Sequence, residues 1–518
     1  LTNDTWFGPV GSFEGVFARM DAREVHFWGL TEHARTVPNP LTGEGVLPYH
    51  LQSYWLAVRR EMFLSEAWAA YWRDLPEMPG YRDAVLRHEV VFTEHFTGLG
   101  FVAGVAFPAE EYPTENPSLL NADLLVRDGC PVVKRRVFFQ WPPFLHRHAV
   151  VGRWVLDAMT RAGYPAGLAL TDLARNVPPR VLNANLGLLE VLPDTPTGYD
   201  PTHPLRIAAI LHAGSDGIGP VLDRLALLPA SYDLRVTTDD PRRVAALEAE
   251  LADRKDDRIA RHAVRVVPGA DDTVAFFDAL TDVLEGDADI VVKAHSGRGG
   301  PEWAEGGYLP RHELGDLLDS AGYAANLVGL FQREPGLGIV FAPTGHFGTT
   351  TIGAGWGDHR PRAEAVRRER GIAVPLDDVS PLAPFGGMWV ARPEALRLLS
   401  AGGGRSAAPG DGPVLDRLVA PSAGERGFHA RTVATARDFG ISHAGMEFVL
   451  DRIAATVDGF YPDDKIADVE RAGWAGRART TDLARMYVRL HHPGVARWAR
   501  ALARRLRRLA AGPRRRAA

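Results

Sequence analysis

The sequence predicts an α/β protein whose larger part is a parallel, doubly wound sheet. Three observations carry this. From residue 205 onward, apolar runs such as LRIAAILHA (205–213) and ADIVVKAH (288–295) are continuous rather than alternating, the mark of strands covered on both faces. Between them lie PRRVAALEAELADR (241–254) and TVAFFDALTDVL (273–284), with apolar residues at helical spacing. Strand and helix then alternate regularly, as parallel strands joined by crossover helices must. At 518 residues the chain is too long for a single core, so two or three domains are expected.

The first stretch, 1–192, is less regular. It opens on LTNDTWFGPVG, where an apolar residue leads into Asn3, Asp4 and Thr5, as though a strand were delivering a carboxylate to a site. VHFWGLTEH (25–33) reads as a buried strand ending in a polar loop. HLQSYWLAVRREMFLSEAWAAYWRDL (50–75) has the spacing of one or two amphipathic helices, and YRDAVLRHEVVFTEHFTGLGF (81–101) continues helical to a glycine stop. RRVFFQWPPF (135–144) and the helix-like VVGRWVLDAMTRAG (150–163) follow. PDTPTGYDPTHP (193–204), dense in Pro, Thr and Asp, reads as a linker.

The second stretch, 205–420, holds the alternation described above and closes with GLGIVFAP (336–343) and a strand-to-helix turn in GGMWVARPEAL (386–396). The remainder, 421–518, is expected to be helical. Its last part, VARWARALARRLRRLAAGPRRRAA (495–518), puts Trp498, Leu502, Leu506 and Leu509 near one helical face with arginines on the other. Such a basic amphipathic helix suits an anionic membrane surface, although a solvated terminal helix has the same pattern.

Composition narrows the function. With 59 basic and 64 acidic residues the net charge is −5, which argues against a nucleic-acid partner. The single cysteine, Cys130, forms no internal disulfide and no CxxC metal site, which fits a reducing, cytoplasmic setting. There is no run of about eighteen uncharged apolar residues to span a membrane, and no signal-peptide pattern at the start.

In open α/β sheets, ligands bind at the carboxyl ends of strands. The polar residues there are His212, Thr237 to Asp240, Asp271 and Asp272, and Lys293 to Ser296. Lys293 and His295 share one side of an extended strand, a pairing that suits a diphosphate. GSDGIG (214–219) has the spacing of neither a dinucleotide nor an NTPase loop and reads as a turn. A GxSxG elbow, an HExxH motif and a His/Cys cluster of zinc spacing are all missing from the sequence.

In the first stretch, Asn3 and Asp4 suit a divalent cation, and Trp28 and Thr31 on a loop suit a sugar face and its hydroxyls. His50, Gln52, Ser53 and Tyr54 form a polar group at an expected helix N-terminus. Glu89, in RHEVVF, falls on an apolar helix face, where burial raises a carboxyl pKa toward that of a general base.

In order along the chain, LTNDTWFGPVG, VHFWGLTEH, HLQSYW, the helix containing His88-Glu89, CPVVKRRVFF (130–139), DIVVKAHS (289–296) and GGMWVARPEAL resemble the rhamnan synthesis protein F family. The resemblance spans Asn3 to about Leu396. It implies a glycosyltransferase of bacterial surface-polysaccharide assembly, moving a deoxyhexose, typically L-rhamnose from dTDP-rhamnose, onto a lipid-linked glycan. The implied fold is tandem GT-A-like (Rossmann-like) modules, each an α/β sandwich around a mixed sheet. The first, 1–192, is expected to lack its N-terminal half, so that the chain is a fragment.

On that pattern Asp4 and Asn3 serve the donor, with Mg²⁺ or Mn²⁺ at Asp4, and Trp28, Thr31, His50 and Gln52 shape the sugar pocket. Glu89 is the base of a single-displacement inversion. Lys134, Arg135 and Arg136 neutralise the leaving diphosphate. The second module departs from the family. It has PGADD (268–272) where an Arg-Gly-Arg-Asp stretch is common, and HSGR (295–298) where a more basic stretch is common, leaving Lys293, His295 and Arg298. Peripheral attachment at the inner face of the plasma membrane is expected. The alternative function is a non-catalytic carbohydrate-binding or scaffold subunit. A glycan hydrolase needs a spaced carboxylate pair that the sequence does not present.

Overall fold

The computed structural model describes residues 1–254, 256–297, 308–345, 351–400, 408, 410–455, 457, 461–475, 479–496, 498–499 and 502. The chain forms two compact units, Leu1–His443 and Ala444–Ala518. In chain order the strands are β1 (Trp6–Phe7), β2 (Phe27–His33), β3 (His50–Leu51), β4 (Leu56–Val58), β5 (Ala103–Phe107), β6 (Val133–Lys134) and β7 (Leu189–Leu192). They continue as β8 (Ile207–His212), β9 (Tyr232–Thr238), β10 (Ile259–Val266), β11 (Ile290–His295), β12 (Leu337–Phe341), β13 (Trp389–Ala391) and β14 (His429–Thr435).

Among the described residues, eight strands make the large sheet, in the order β10-β9-β8-β11-β13-β12-β14-β7. Every pairing is parallel except the two made by β13. The apolar runs that announced β8 and β11 are buried along their whole length. Ile207, Ala209 and Leu211 enter one core with the helices Gly219–Leu225, Val244–Arg254 and Ala321–Arg333. Ala208 and Ile210 enter a second core with Asp272–Leu284, Arg360–Glu369 and Val419–Glu425. The sheet is therefore covered on both faces, as the continuous runs require, and is mixed rather than all parallel.

From β8 the chain builds β9 and β10 on one side, then returns to place β11 on the other. The carboxyl ends of β8 and β11 thus flank the point where winding reverses.

In the smaller sheet β2 is central, antiparallel to β3 and β4 and parallel to β5. Two expectations are corrected here. HLQSYW is not a helix start: His50 pairs with His33 and Leu51 with Glu32, and the next helix begins only at Arg60. WGLT is not a loop: Trp28 to Thr31 run through the middle of β2, because pairing on both edges holds them extended. Helix 81–98 carries a π-turn over Val85–Glu89, and Gly100, at φ +91°, ends its C-terminal turn as expected.

The helices Ala166–Asn176 and Pro179–Leu186 pack against the large-sheet side, where the Arg180 amide donates to the Asp377 carboxylate at 3.1 and 3.2 Å. β7 adds to the sheet edge beside β14, in parallel. The stretch read as helical, 421–518, contributes β14 before the helix Ala436–Ala454. In the second unit lie Pro462–Ala475 and Thr480–His491. Trp498 and Leu502 are exposed, whereas Leu506, Leu509 and the arginine tail lie outside the described residues. Among the described residues no helix is long and apolar enough to cross a membrane.

Among the described residues, Lys293 is the one charged side chain among the largest fully buried side chains. Its ammonium bonds the Asp272 carboxylate and the Gly387 carbonyl (2.5 Å) and lies 4.6 Å from the Trp389 ring centroid. The pair ties β11 to the helix Asp272–Leu284 and to the turn before β13. Removing one partner strands the other charge in the core, typically at about 3–5 kcal/mol. Asp272→Ala should therefore lower the urea unfolding midpoint sharply, and Asp272→Leu combined with Lys293→Met should recover much of the loss. Equal stability of the single variant and the parent would refute this assignment.

Candidate functional site

At the end of β2, four short elements converge on a buried polar cluster. Tyr54 and Thr31 hydroxyls lie 2.8 Å apart, Thr31 donates to Gln52 Oε1 at 2.7 Å, and Gln52 Nε2 donates to Asn116 Oδ1 at 3.1 Å. Because the Thr31 proton is committed to Gln52, the Tyr54 phenol supplies the proton of the first bond, and the chain of donations runs one way. Strand pairing sets His33 opposite His50, and their rings stack at 5.4 Å and 14°. Each Nδ1 contacts a backbone carbonyl at 2.8 Å, Ala34 for His33 and Pro48 for His50. A carbonyl only accepts, so both rings carry a proton on Nδ1.

Glu89 enters from the π-turn. Its Oε2 accepts from the Ser53 amide at 3.1 Å and the Ser53 hydroxyl at 2.5 Å, and its Oε1 lies 3.6 Å from His50 Nε2. Lys134 stands over the Tyr54 ring at 4.6 Å. Burial alone would raise the Glu89 pKa, but the His50 contact, the Lys134 charge and the Ser53 bond outweigh it and hold the carboxyl at about 2. The expectation of a raised pKa is corrected: Glu89 is ionised and weakly basic, and it orients Ser53 and His50. Burial lowers the Lys134 pKa against the pull of Glu89, and burial likewise lowers that of His33.

The remaining expected residues are distributed as follows. Asn3 and Asp4 are exposed at a bend following the pairing of Thr2 with Trp55, where Asn3 Oδ1 accepts from Thr5 N and Oγ1. The Asn3 amide donates to the Tyr54 carbonyl at 3.3 Å, which brings this bend beside the cluster. Trp28 is not available for stacking on a sugar: it is 2% exposed and packs on Trp55 and Phe17. Arg135 pairs with Asp172 at 2.6 Å, and Arg136 donates to the Tyr81 hydroxyl at 2.6 Å.

A second polar region lies at the carboxyl ends of β8, β9 and β11. There His212 and His295 are in register, and His212 Nδ1 is 3.0 Å from Thr237 Oγ1. The loop after β8 is pinned by Ser296, whose hydroxyl donates to the Asp216 carbonyl and accepts from the Gly214 amide, and by Arg243, which donates to the Ala213 and Gly214 carbonyls. Lys293 faces inward and does not serve as a cation for a diphosphate, and His295 Nε2 contacts the Gly386 carbonyl at 2.8 Å. Arg298 lies outside the described residues.

Sequence reasoning missed His33. Its signal was present, since His33 lies two residues beyond Thr31 in β2, on the same side of an extended chain. Asn116, which anchors Gln52, is 64 residues away and had none. Among the described residues, one group of three metal-ligating side chains, His312, Asp316 and Asp438, brings its ligand atoms within 4.8 Å of one another. Asp4 belongs to no such group, so its surroundings do not fit a metal held by protein ligands alone.

A mixed α/β sheet with polar residues gathered at its carboxyl edge, together with a smaller sheet bearing a hydroxyl-rich cluster, defines an α/β protein. The chain belongs to the rhamnan synthesis protein F family, whose profile matches residues 1–402. That membership supports the class expected from the resemblance, a glycosyltransferase. A comparison with curated protein sequences finds no match. Among solved structures the chain is similar to the mannosyltransferase PcManGT from Pyrobaculum calidifontis, in complex with GDP-Man and Mn²⁺, at 16% identity over 68% of this chain and 91% of that one, with a TM-score of 0.28.

The Glu89 environment has a signature in stability. A carboxyl lowered from 4.5 to about 2 contributes stability above pH about 4.5 that is lost as pH falls toward 2. The contribution is on the order of 3 kcal/mol at neutral pH. Glu89→Gln should lower stability at pH 7 and flatten its dependence between those limits in denaturant titrations; an unchanged pH slope would exclude this account.

Proposed function

We propose that the chain is a glycosyltransferase of surface-polysaccharide assembly, transferring L-rhamnose from dTDP-rhamnose to a lipid-linked glycan with inversion. The observation that carries the reading is the family match, which spans both the β2 cluster and the crevice between β8 and β11. In this reading 1–192 and 205–420 act as two modules, and the cluster holds the reacting sugars. Thr31, Gln52 and Tyr54 are as buried as Trp28 and bond one another, so in this reading they brace the wall of the sugar pocket behind His33. The Asn3–Asp4 bend and Lys134 serve the donor, with Mg²⁺ or Mn²⁺ supplied together with the diphosphate.

His33 replaces Glu89 as the proposed base. Its Nδ1–H is committed to the Ala34 carbonyl, and burial keeps the ring neutral, so Nε2 offers a lone pair. The acceptor hydroxyl oxygen attacks the anomeric carbon, its proton passes to Nε2, and the bond to the diphosphate oxygen breaks. Glu89 and His50 position the pocket wall. The basic stretch 495–518, most of it outside the described residues, is the proposed contact with the cytoplasmic membrane face. The scaffold reading is favoured by one observation: Glu89, Arg135 and Lys293 already have their charges met within the protein.

Calorimetry with dTDP-rhamnose, with and without Mg²⁺ or Mn²⁺, separates the readings. Saturable binding weakened roughly tenfold by Asp4→Ala supports the first-stretch donor site. Binding that persists in Asp4→Ala but fails in His212→Ala moves the donor to the β8–β11 crevice, and no binding favours the scaffold. His33→Gln should reduce transfer by about 10²–10⁴-fold. The acid limb of the parent's pH–rate profile, with its midpoint below the ordinary imidazole value of 6.5, should disappear in that variant. A retained limb rules His33 out as the base.

A further inference from the structure

At the carboxyl ends of β12 and β14, a group outside both polar regions has an arrangement that protein hydrogen bonding does not complete. His312 and Asp316 lie one turn apart on the helix Tyr308–Leu317, and Asp438 lies three residues beyond the end of β14. His312 Nε2 is 3.0 Å from the Pro343 carbonyl, so that nitrogen bears the proton. The other ring nitrogen, Nδ1, is 3.1 Å from Asp316 Oδ2.

Asp316 is fully buried. Its Oδ1 accepts from the Thr435 amide at 2.8 Å, while Oδ2, inaccessible to solvent, receives no hydrogen bond. A ring nitrogen and a carboxylate oxygen therefore face one another inside the protein without a hydrogen bond between them. The Asp438 carboxylate completes the group, with all three ligand atoms within 4.8 Å of one another.

The groups behind the three ligands are those that orient metal ligands elsewhere. A backbone carbonyl holds the far nitrogen of the imidazole, and a backbone amide holds the second oxygen of Asp316. Arg437 steers Asp438, at 3.0 Å from Oδ1 and 3.4 Å from Oδ2, and is itself shared with Asp319 at 3.3 Å. Two ligand atoms bound at about 2.1 Å around one ion sit roughly 3–3.5 Å apart, close to the spacing already present between His312 and Asp316. One imidazole with two carboxylates suits a first-row transition ion, whereas Mg²⁺ and Ca²⁺ favour oxygen alone.

We propose that His312, Asp316 and Asp438 bind one divalent transition-metal ion of the Mn²⁺ or Zn²⁺ type, through one ring nitrogen and two carboxylate oxygens. Such an ion would join the helix Tyr308–Leu317 to the chain leaving β14, and two of its three ligands, His312 and Asp438, are partly exposed. The site stands whether or not the transferase reading does.

The test uses the full chain, stripped with a chelator and titrated with Mn²⁺ by electron paramagnetic resonance and with Zn²⁺ by calorimetry. One equivalent is expected to bind and to raise the unfolding temperature. His312→Gln and Asp438→Asn should each weaken binding at least tenfold and remove the thermal shift, with unchanged circular dichroism. If His312→Gln fails to fold, Asp438→Asn decides alone, since Asp438 is partly exposed and its amide still accepts from Arg437. No stoichiometric binding to the parent chain, or binding that Asp438→Asn leaves unchanged, overturns the proposal.

Discussion

Strands β8 and β11 have no face that tolerates water, and the architecture of the larger unit follows from covering them. Their side chains divide between two cores, so helices must lie on both sides of the sheet. Parallel neighbours need long crossovers, which supply those helices. Reversal of winding beside β8 then brings the carboxyl ends of β8 and β11 together, and polar residues collect there because the apolar runs end there. Lys293 shows how strict the constraint is. A charge inside β11 is tolerated only because Asp272, the Gly387 carbonyl and the Trp389 ring converge on it.

This half of the fold was legible because its signals are local. Continuous apolar runs and helical periodicity identify β8, β11 and β12 and the helices Val244–Arg254 and Asp272–Leu284 without knowledge of any partner. The first stretch was less legible for a matching reason. β3 is two residues long, and its conformation comes from pairing with β2, where His50 lies opposite His33 and Leu51 opposite Glu32. Short strands of this kind carry too few residues for a period to show.

The site was legible as residue types but not as roles. Thr31, His50, Gln52, Glu89 and Lys134 do come together at the end of β2, and the resemblance pointed to each of them. Their electrostatics depend on who faces whom. Burial of Glu89 suggested a base, but His50, Ser53 and Lys134, all distant in sequence or outside its helix, reverse the sign. Trp28 failed for a simpler reason: β-pairing on both sides turns its indole into core. His312, Asp316 and Asp438 were invisible to spacing, because β14 joins the helix Tyr308–Leu317 only through the folded sheet.

The outermost pairing of the large sheet, β7 against β14, has a consequence for how the chain is made. Glu190 in β7 and Arg431 in β14 form an ion pair across 241 residues of sequence. During synthesis β7 emerges early, yet the edge it belongs to does not exist until residue 435 has left the ribosome. Throughout that interval its backbone amides and carbonyls have only water or a foreign strand to bind. β7 thus has no partner in the large sheet until β14 is made, and that edge closes only then.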